Sequence, residues 1–189
     1  MSGGHGGHID PSNKNVAMLI AILALVLAIS ETLGKSAQTT VLNVNIEAAN
    51  LWNFFQAKTI RGTVLRTAAE ELEVELATVT NPKAREAMTK RIAEWKKNEA
   101  RYQSEPETGE GRKELMARAI AAEKKRDVSL AAYHNFELAS AMVQIAIVLA
   151  SAEVITGVVA LVWASTGLGL LGIAFCTIGL FWPTAVHLF

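Results

Sequence analysis

Residues 138–186 decide the fold, and they read LASAMVQIAIVLASAEVITGVVALVWASTGLGLLGIAFCTIGLFWPTAV. The stretch contains no lysine, arginine or aspartate, and its single glutamate is Glu153. A helix needs about 20 apolar residues to cross a hydrocarbon core about 30 Å thick. This stretch is therefore long enough for two crossings. We expect a helical hairpin with transmembrane helices at residues 138–163 and 168–187, joined by a turn between Ala164 and Gly169.

The charged residues are segregated from the apolar ones. Of the 18 lysines and arginines, 17 lie between Lys35 and Arg126, and none lies in residues 127–189. A soluble domain distributes charge over its whole surface, so this segregation favours insertion into a membrane. The formal net charge is zero, which gives no reason to expect a nucleic-acid partner.

A further apolar run lies near the N-terminus. Residues 16–33 read VAMLIAILALVLAISETL, with Glu31 close to the end. A cleaved signal peptide is the alternative interpretation, but only Lys14 precedes the run and no small-x-small pattern closes it. We therefore expect the first transmembrane helix at residues 16–34.

The residues before this run, 1–15, are rich in glycine and predict a flexible tail. His5 and His8 are weak candidates for metal ligands there, because a closed zinc site needs about four fixed ligands. The sequence has no Ser/His/Asp, Cys/His, HExxH or phosphate-loop arrangement. We therefore expect neither a metal nor a cofactor, and no enzymatic activity.

The charged middle of the chain, residues 35–137, predicts a pair of long helices. Along the outgoing arm, apolar residues recur at steps of three and four, as on one face of a helix: Ile60, Val64, Ala68, Leu72, Leu76 and Val79. Asn81-Pro82 ends this helix, because the residue before proline is disfavoured in helical geometry and proline suits the first turn of a new helix.

The returning arm carries a heptad-like seam through Met88, Ile92, Trp95 and Tyr102. Residues 104–111, SEPETGEG, predict a loop. Nothing interrupts the helical pattern between that loop and the apolar C-terminal stretch. We expect a long antiparallel, coiled-coil-like stalk between the first and second transmembrane helices.

Basic residues next to the apolar runs predict the orientation. Lys35 follows the first run, and Lys124, Lys125 and Arg126 precede the second, whereas only Lys14 flanks the other side. The positive-inside rule then places the stalk in the cytoplasm.

Glu153 is the most informative single residue, because it falls near the middle of the predicted second transmembrane helix. Even on the mildest scale, an unpaired charged acid there costs about 2.5 to 3.5 kcal/mol. It is either a proton or cation site, or a helix–helix contact with Gln144 or Ser151. Glu31 is the second candidate, and a ring of Glu31 and Glu153 carboxylates in an oligomer would select cations.

Gly167, Gly169 and Gly172 spell GxGxxG. This pattern marks dinucleotide binding only between a strand and a helix of a βαβ unit, which the surrounding sequence does not predict. The glycines instead predict a turn and close helix packing. Other small residues serve the same need: Ala146, Ala150 and Gly157.

Two strings in the first half resemble a known family. They are AILALVLAISETLGKSAQT at residues 21–39 and NIEAANLWNFFQAKTIRGTVLRTAAEELE at residues 45–73. With the closing apolar pair, the chain resembles the bacterial domain-of-unknown-function family 4337 over nearly its whole length. The resemblance implies a small bacterial membrane protein and assigns no catalytic residue.

These observations predict an all-α integral membrane protein of the bacterial inner membrane with three transmembrane helices. The helix-pairing surface and the absence of catalytic motifs favour a non-enzymatic scaffold that forms a homo-oligomer or organises other membrane proteins. The alternative is an oligomeric proton or cation channel using Glu153 and Glu31. An accessory subunit of an enzyme is not distinguished from a scaffold by sequence.

Overall fold

The computed structural model describes residues 11–186. The elements in this range are four helices: α1 Pro11–Leu76, α2 Pro82–Gln103, α3 Arg112–Thr156 and α4 Val159–Phe181. The described residues divide into two compact units. Unit 1 contains residues 11–42 and 126–186, and unit 2 contains Asn43–Lys125. The predicted all-α class is confirmed, with no strand between residues 11 and 186.

The observed helices differ slightly from the predicted ones at both ends of the chain. α1 begins at Pro11, so residues 11–15 of the predicted tail belong to the helix. The rest of that tail, with His5 and His8, lies outside the described residues. The last transmembrane helix was expected to reach residue 187, but α4 ends at Phe181.

The break between α1 and α2 lies at the predicted place. The Asn81 side chain accepts hydrogen bonds from the backbone N–H groups of Lys83 at 3.0 Å and Ala84 at 3.3 Å, and Pro82 opens α2. On the other side of the break, the Arg85 guanidinium donates to the carbonyl of Leu76 at 2.9 Å. The free backbone groups at both helix ends are therefore satisfied by side chains.

The predicted turn between Ala164 and Gly169 is wrong. α4 runs without interruption through these residues, and the connection is the pair Gly157-Val158. Gly157 has φ of +68°, the left-handed conformation that glycine adopts without steric penalty. Its N–H donates to the Glu153 carbonyl at 2.7 Å, which completes the last turn of α3. The later glycines are helical, and Gly169 and Gly172 are buried where α4 packs against other helices.

Within unit 1, α3 and α4 are antiparallel. The Ser165 hydroxyl donates to the Ala146 carbonyl at 2.7 Å, and the Asn135 amide donates to the Pro183 carbonyl at 3.0 Å. As residue numbers rise along α4, the paired residues on α3 fall. Leu23 of α1 joins Val143 and Ala146 in the hydrophobic core of this unit.

Large apolar side chains cover the outside of unit 1. Exposed examples are Met18, Ile22, Leu25, Ile29, Ile145, Val148, Leu170, Leu171, Leu180 and Phe181. Three helices, α1, α3 and α4, are long and apolar enough to cross a membrane. α4 has 23 residues and extends about 34 Å, which matches the thickness of a hydrocarbon core.

Within unit 2, the α1 segment pairs first with α2 and then with the start of α3. The Lys96 ammonium of α2 pairs with the Glu73 carboxylate of α1. Nearer the start of the unit, Leu51 of α1 packs in a core cluster with Leu115 of α3. The Trp52 indole N–H donates to the Glu123 carboxylate at 2.9 Å. Further along α1, Phe55 contacts Arg112 of α3 and Gly62 lies near Tyr102 of α2. Residue numbers on the partner helix therefore fall as those on α1 rise, so both pairings are antiparallel.

The predicted apolar face of α1 in unit 2 is covered only in part, and Ala68, Leu72 and Leu76 are half-buried. Ile60 and Val64 are 64% and 60% exposed. The buried stripe instead passes through Leu51, Lys58 and Ala69. This α1 segment is apolar on two opposite faces, and only one of them is covered within the unit.

Candidate functional site

A polar cleft lies between α1 and α3 inside unit 1. Its volume is about 430 Å³. Its lining comprises Ser30, Glu31, Gly34, Lys35 and Gln38 from α1 and Tyr133, Phe136, Glu137, Ser140, Ala141 and Gln144 from α3. These positions recur at steps of three and four on each helix, so each helix turns one face towards the cleft. We call this the α1–α3 cleft.

Hydrogen bonds fix the walls of the cleft. The Gln144 amide donates to a Glu31 carboxylate oxygen at 3.2 Å, which joins α3 to α1. The Tyr133 hydroxyl donates to Glu137 at 3.3 Å, and His134 Nδ1 lies 3.9 Å from the other oxygen of Glu137. The cleft therefore holds two carboxylates on opposite walls, and each is oriented by a neighbouring side chain.

The floor of the cleft contains an unusual hydroxyl. Ser30 is fully buried, and its Oγ makes no hydrogen bond to any described residue. Leaving a buried hydroxyl unsatisfied costs about 1 to 3 kcal/mol. Beside it, Phe136 is buried and Gly34 lies close against it. The floor is thus mainly apolar, with one polar atom that lacks a protein partner.

Glu153 lies elsewhere in unit 1. α3 ends at Thr156, so this residue is in its last turn and not in the middle of a helix as the sequence suggests. The residue is only 8% exposed, and its Oε2 has no hydrogen-bond partner between residues 11 and 186. Like Ser30, it is a buried polar group without a protein partner.

The predicted contact between Glu153 and Gln144 does not form. The two residues are nine positions apart on α3, which is about 13 Å along the helix, and Gln144 bonds to Glu31 instead. For the same reason Glu31 and Glu153 do not meet within one chain. Sequence reasoning missed the Glu31–Gln144 pair because its formation depends on the relative register of α1 and α3.

The residues predicted to pack helices occupy different environments. Ala146 and Ala150 are fully buried, and Gly169 and Gly172 are buried in α4. A Cβ placed on Gly172 would lie 2.5 Å from Val143 Cγ2. Gly157 forms the turn between α3 and α4. A Cβ on Gly167 would meet no atom of the described residues within 4 Å.

Unit 2 contains a buried lysine that the sequence analysis did not identify. The Lys58 side chain is 8% exposed, and its ammonium lies 3.9 Å from both Glu105 and Glu110. The rings of Phe54 and Tyr102 each lie 5.2 Å from it, within the range of a cation–π contact. Lys58 follows the buried Leu51 by seven residues, so the helical period is the signal from which its place on the inner face could have been predicted.

The loop between α2 and α3 supplies the carboxylates for this site. The Arg101 guanidinium donates to Glu105 and holds the pKa of that carboxyl below its usual value. The Ser104 hydroxyl donates to Glu114 at 2.7 Å, and this bond likewise lowers the pKa of Glu114. Because these pairs tie the loop to both flanking helices, we interpret the Lys58 cluster as structural.

The uncovered side of α1 in unit 2 is the second candidate site, an interaction surface. A groove of about 490 Å³ lies along the middle of this side, between Thr59 and Glu71. Exposed residues recur along this side every seven positions: Ile46, Asn53, Ile60, Thr67 and Val74. We call this row, together with Val64, the outer face. Residues 48–57, which surround Asn53 in the sequence, contain no charged side chain.

Metal chemistry has no candidate in the part of the chain that the structure describes. No group of three or more histidine, cysteine, aspartate or glutamate side chains between residues 11 and 186 is placed to hold an ion. Cys176 is half-buried in α4 and forms no disulfide there.

The fold and these sites define a class: an all-α protein with three helices that are long and apolar enough to cross a membrane. Residues 12–182 match the family described as a domain of unknown function, DUF4337, and the chain belongs to that family. No curated protein and no solved structure matched the chain.

Proposed function

We propose that the protein is a self-associating, non-enzymatic scaffold of the bacterial inner membrane. In this proposal α1, α3 and α4 cross the bilayer and unit 2 lies in the cytoplasm. A second copy of the chain covers the outer face. Other membrane proteins would be recruited by the resulting oligomer. The observation that carries the proposal is the outer face, which is uncharged, largely β-branched and exposed although α1 is already packed on its opposite side.

Membrane insertion is supported by the exposed apolar side chains of unit 1. Leu25, Leu170 and Phe181 are each more than 60% exposed, and a soluble unit would bury such residues. The cytoplasmic placement of unit 2 rests on basic residues near the membrane helices, notably Lys35 and Arg126.

The composition of the outer face favours a second copy as the occupant. Ile46, Ile60 and Val74 are β-branched residues in the same heptad position, where two-stranded parallel coiled coils also carry such residues. Asn53 and Thr67 share that position, and polar side chains there favour pairing in register with their own counterparts. Copies related by an axis along the membrane normal bring each residue next to its own counterpart, and this uncharged row meets itself without repulsion.

Disulfide cross-linking in membranes tests this interface. In a Cys176→Ala background, Ile60→Cys should give a cross-linked dimer under mild oxidation. Arg66→Cys, which is exposed on another side of the same helix, is the matched control and should stay largely monomeric. Ile46→Cys should also cross-link to itself, because the proposed pairing is parallel.

The outcomes separate the alternatives. Efficient Ile60→Cys dimers with no Ile46→Cys dimers would indicate antiparallel pairing and overturn the parallel arrangement. No dimer at either position, together with a monomeric mass in mild detergent, would refute self-association through this face.

A proton or cation channel is the second candidate function. The buried Glu153 carboxylate with its unpartnered oxygen favours it, because such a group needs a proton, a cation or water. In proteoliposomes, Glu153→Gln should abolish flux, whereas Glu94→Gln on the exposed side of α2 should not. Equal flux in both variants, or none in the parent protein, would reject the channel.

A further inference from the structure

We propose that the α1–α3 cleft binds the headgroup of an ethanolamine phospholipid, a zwitterion with a primary ammonium and a phosphodiester. The inference rests on the proposed membrane insertion, since it takes the ligand from the bilayer itself. It is independent of the outer face and of copy number.

The cleft lies where the apolar helix surfaces end. Glu31 is the first charged residue after the run that begins at Val16, and Glu137 is the last one before the run that begins at Leu138. Tyr133 lines the cleft, and the exposed Trp182 lies one residue from Pro183, which bonds to α3. Tyrosine and tryptophan are enriched at the level of lipid headgroups. The cleft therefore opens at headgroup depth.

The charges of the cleft select the ligand. Glu31 and Glu137 provide acceptors for an ammonium, which has three N–H donors, and Lys35 provides a cation for the phosphodiester. Two carboxylates and one ammonium give the lining a net negative charge, which disfavours an anionic headgroup. A choline headgroup has no N–H to donate. An ethanolamine headgroup satisfies both kinds of charge.

The lining also holds neutral polar groups that a ligand can reach. Gln38 and Ser140 line the cleft and are not buried. Their amide and hydroxyl groups can donate hydrogen bonds to phosphate oxygens. Ser30 and Phe136 are buried behind this lining, and the Phe136 ring lies against Gly179 of α4, so neither side chain contacts the ligand. The charged and neutral polar groups together therefore match a phosphodiester and its ammonium.

Lipid competition with the full-length protein tests the inference. The protein is placed in bilayers with equal amounts of ethanolamine, choline and glycerol phospholipids carrying identical acyl chains. Native mass spectrometry then measures the lipids that remain bound. We expect enrichment of the ethanolamine lipid by about fivefold, which corresponds to about 1 kcal/mol for a partly exposed ion pair.

Variants connect the preference to the cleft. Glu137→Gln should remove most of the enrichment and Glu137→Asp should retain part of it, whereas the matched control Glu94→Gln should leave it unchanged. Helical content from circular dichroism confirms that each variant is folded. Equal retention of all three lipids by the parent protein, or an unchanged preference in both Glu137→Gln and Glu31→Gln, would overturn the proposal.

Two further experiments show whether a negative result contradicts the lipid site alone or the membrane insertion as well. An excess of soluble glycerophosphoethanolamine should displace little lipid, because it lacks the acyl chains that hold the lipid in the bilayer beside the cleft; complete displacement would refute a lipid site. Extraction with alkaline carbonate tests insertion separately. A chain that stays in the membrane pellet without lipid preference refutes only this inference, and a chain that is released refutes the proposed function as well.

Discussion

Adding one methyl group at Gly172 should separate α3 from α4. A Cβ there would lie 2.5 Å from Val143 Cγ2 and 3.1 Å from the Ala139 carbonyl oxygen. Val143 is β-branched and has one strongly preferred rotamer in a helix, and the carbonyl belongs to the backbone. Relieving the contact would therefore require a change of the Val143 rotamer or a shift of the helix backbone. Overpacking of this kind costs about 1 to 3 kcal/mol, so Gly172→Ala should lower the free energy of unfolding by that amount.

Gly167→Ala is the matched control for this prediction. It makes the same change in the same helix, at a position where the new Cβ meets no described atom within 4 Å. Alanine has the higher helix propensity, by about 0.8 to 1.0 kcal/mol in water, so the control should be neutral or slightly stabilising. The free energy of unfolding should therefore fall in Gly172→Ala and stay equal or rise slightly in Gly167→Ala.

The assay is unfolding of the purified protein in mixed micelles with increasing dodecyl sulfate, followed by circular dichroism. A double variant, Gly172→Ala with Val143→Ala, should recover part of the loss because it removes the closer of the two clashes. Equal midpoints for Gly172→Ala and Gly167→Ala would refute the α3–α4 packing described above.

Three further predictions concern the charged unit and the turn. Lys58→Ala should lower the free energy of unfolding of unit 2 by about 1 to 3 kcal/mol in thermal melts, because it leaves Glu105 with less compensation; Lys90→Ala, which breaks an exposed pair, should change it by under about 0.5 kcal/mol. The pKa values of Glu105 and Glu114 are lower in the folded protein than in the unfolded chain, so these carboxylates stabilise the folded state. Their contribution is complete above about pH 4.3, the ordinary pKa of glutamate. It is lost as the pH falls through the folded-state pKa values. A pH series of melts should show this loss, and it should be weaker in Glu114→Gln. Gly157→Ala should cost about 1 to 2 kcal/mol in the micelle assay, because alanine is strained at positive φ.

Local signals predicted the element boundaries where the chemistry was unambiguous. Asn81-Pro82 and the loop at residues 104–111 combine a proline, a cap or clustered turn residues, and the structure has breaks at both. The long α3 was predicted because no helix-breaking residue stands between Arg112 and Leu138. These features depend on a few neighbouring residues and not on the fold.

The turn between α3 and α4 was misplaced because glycine has two uses. Gly167 and Gly169 form a denser cluster than the lone Gly157, so composition pointed to the wrong site. In an apolar helix, glycines remain helical where another helix approaches them, as Leu23 approaches Gly169. Only the paired helices reveal which glycine adopts the left-handed conformation.

The candidate sites were less predictable than the helices. Glu31 and Gln144 were both singled out from their chemistry, but their pairing depends on the register between α1 and α3. Ile60 and Val64 were predicted to pack but are exposed, because α1 has apolar residues on two sides and the other side is the covered one. Lys58 lies among the buried residues of that side. Periodicity finds such stripes without showing which one is covered.

The two-residue link at Gly157-Val158 has a consequence for biogenesis. In the proposed placement, α3 and α4 have no hydrophilic segment between them for the translocation machinery to carry across separately, so they should enter the bilayer together as a preformed hairpin. Glu153 is the only acid between Leu138 and Val186, and it would be transported at the leading tip of that hairpin. Lengthening the link with polar residues should therefore slow membrane integration of newly made chains before it alters the finished protein.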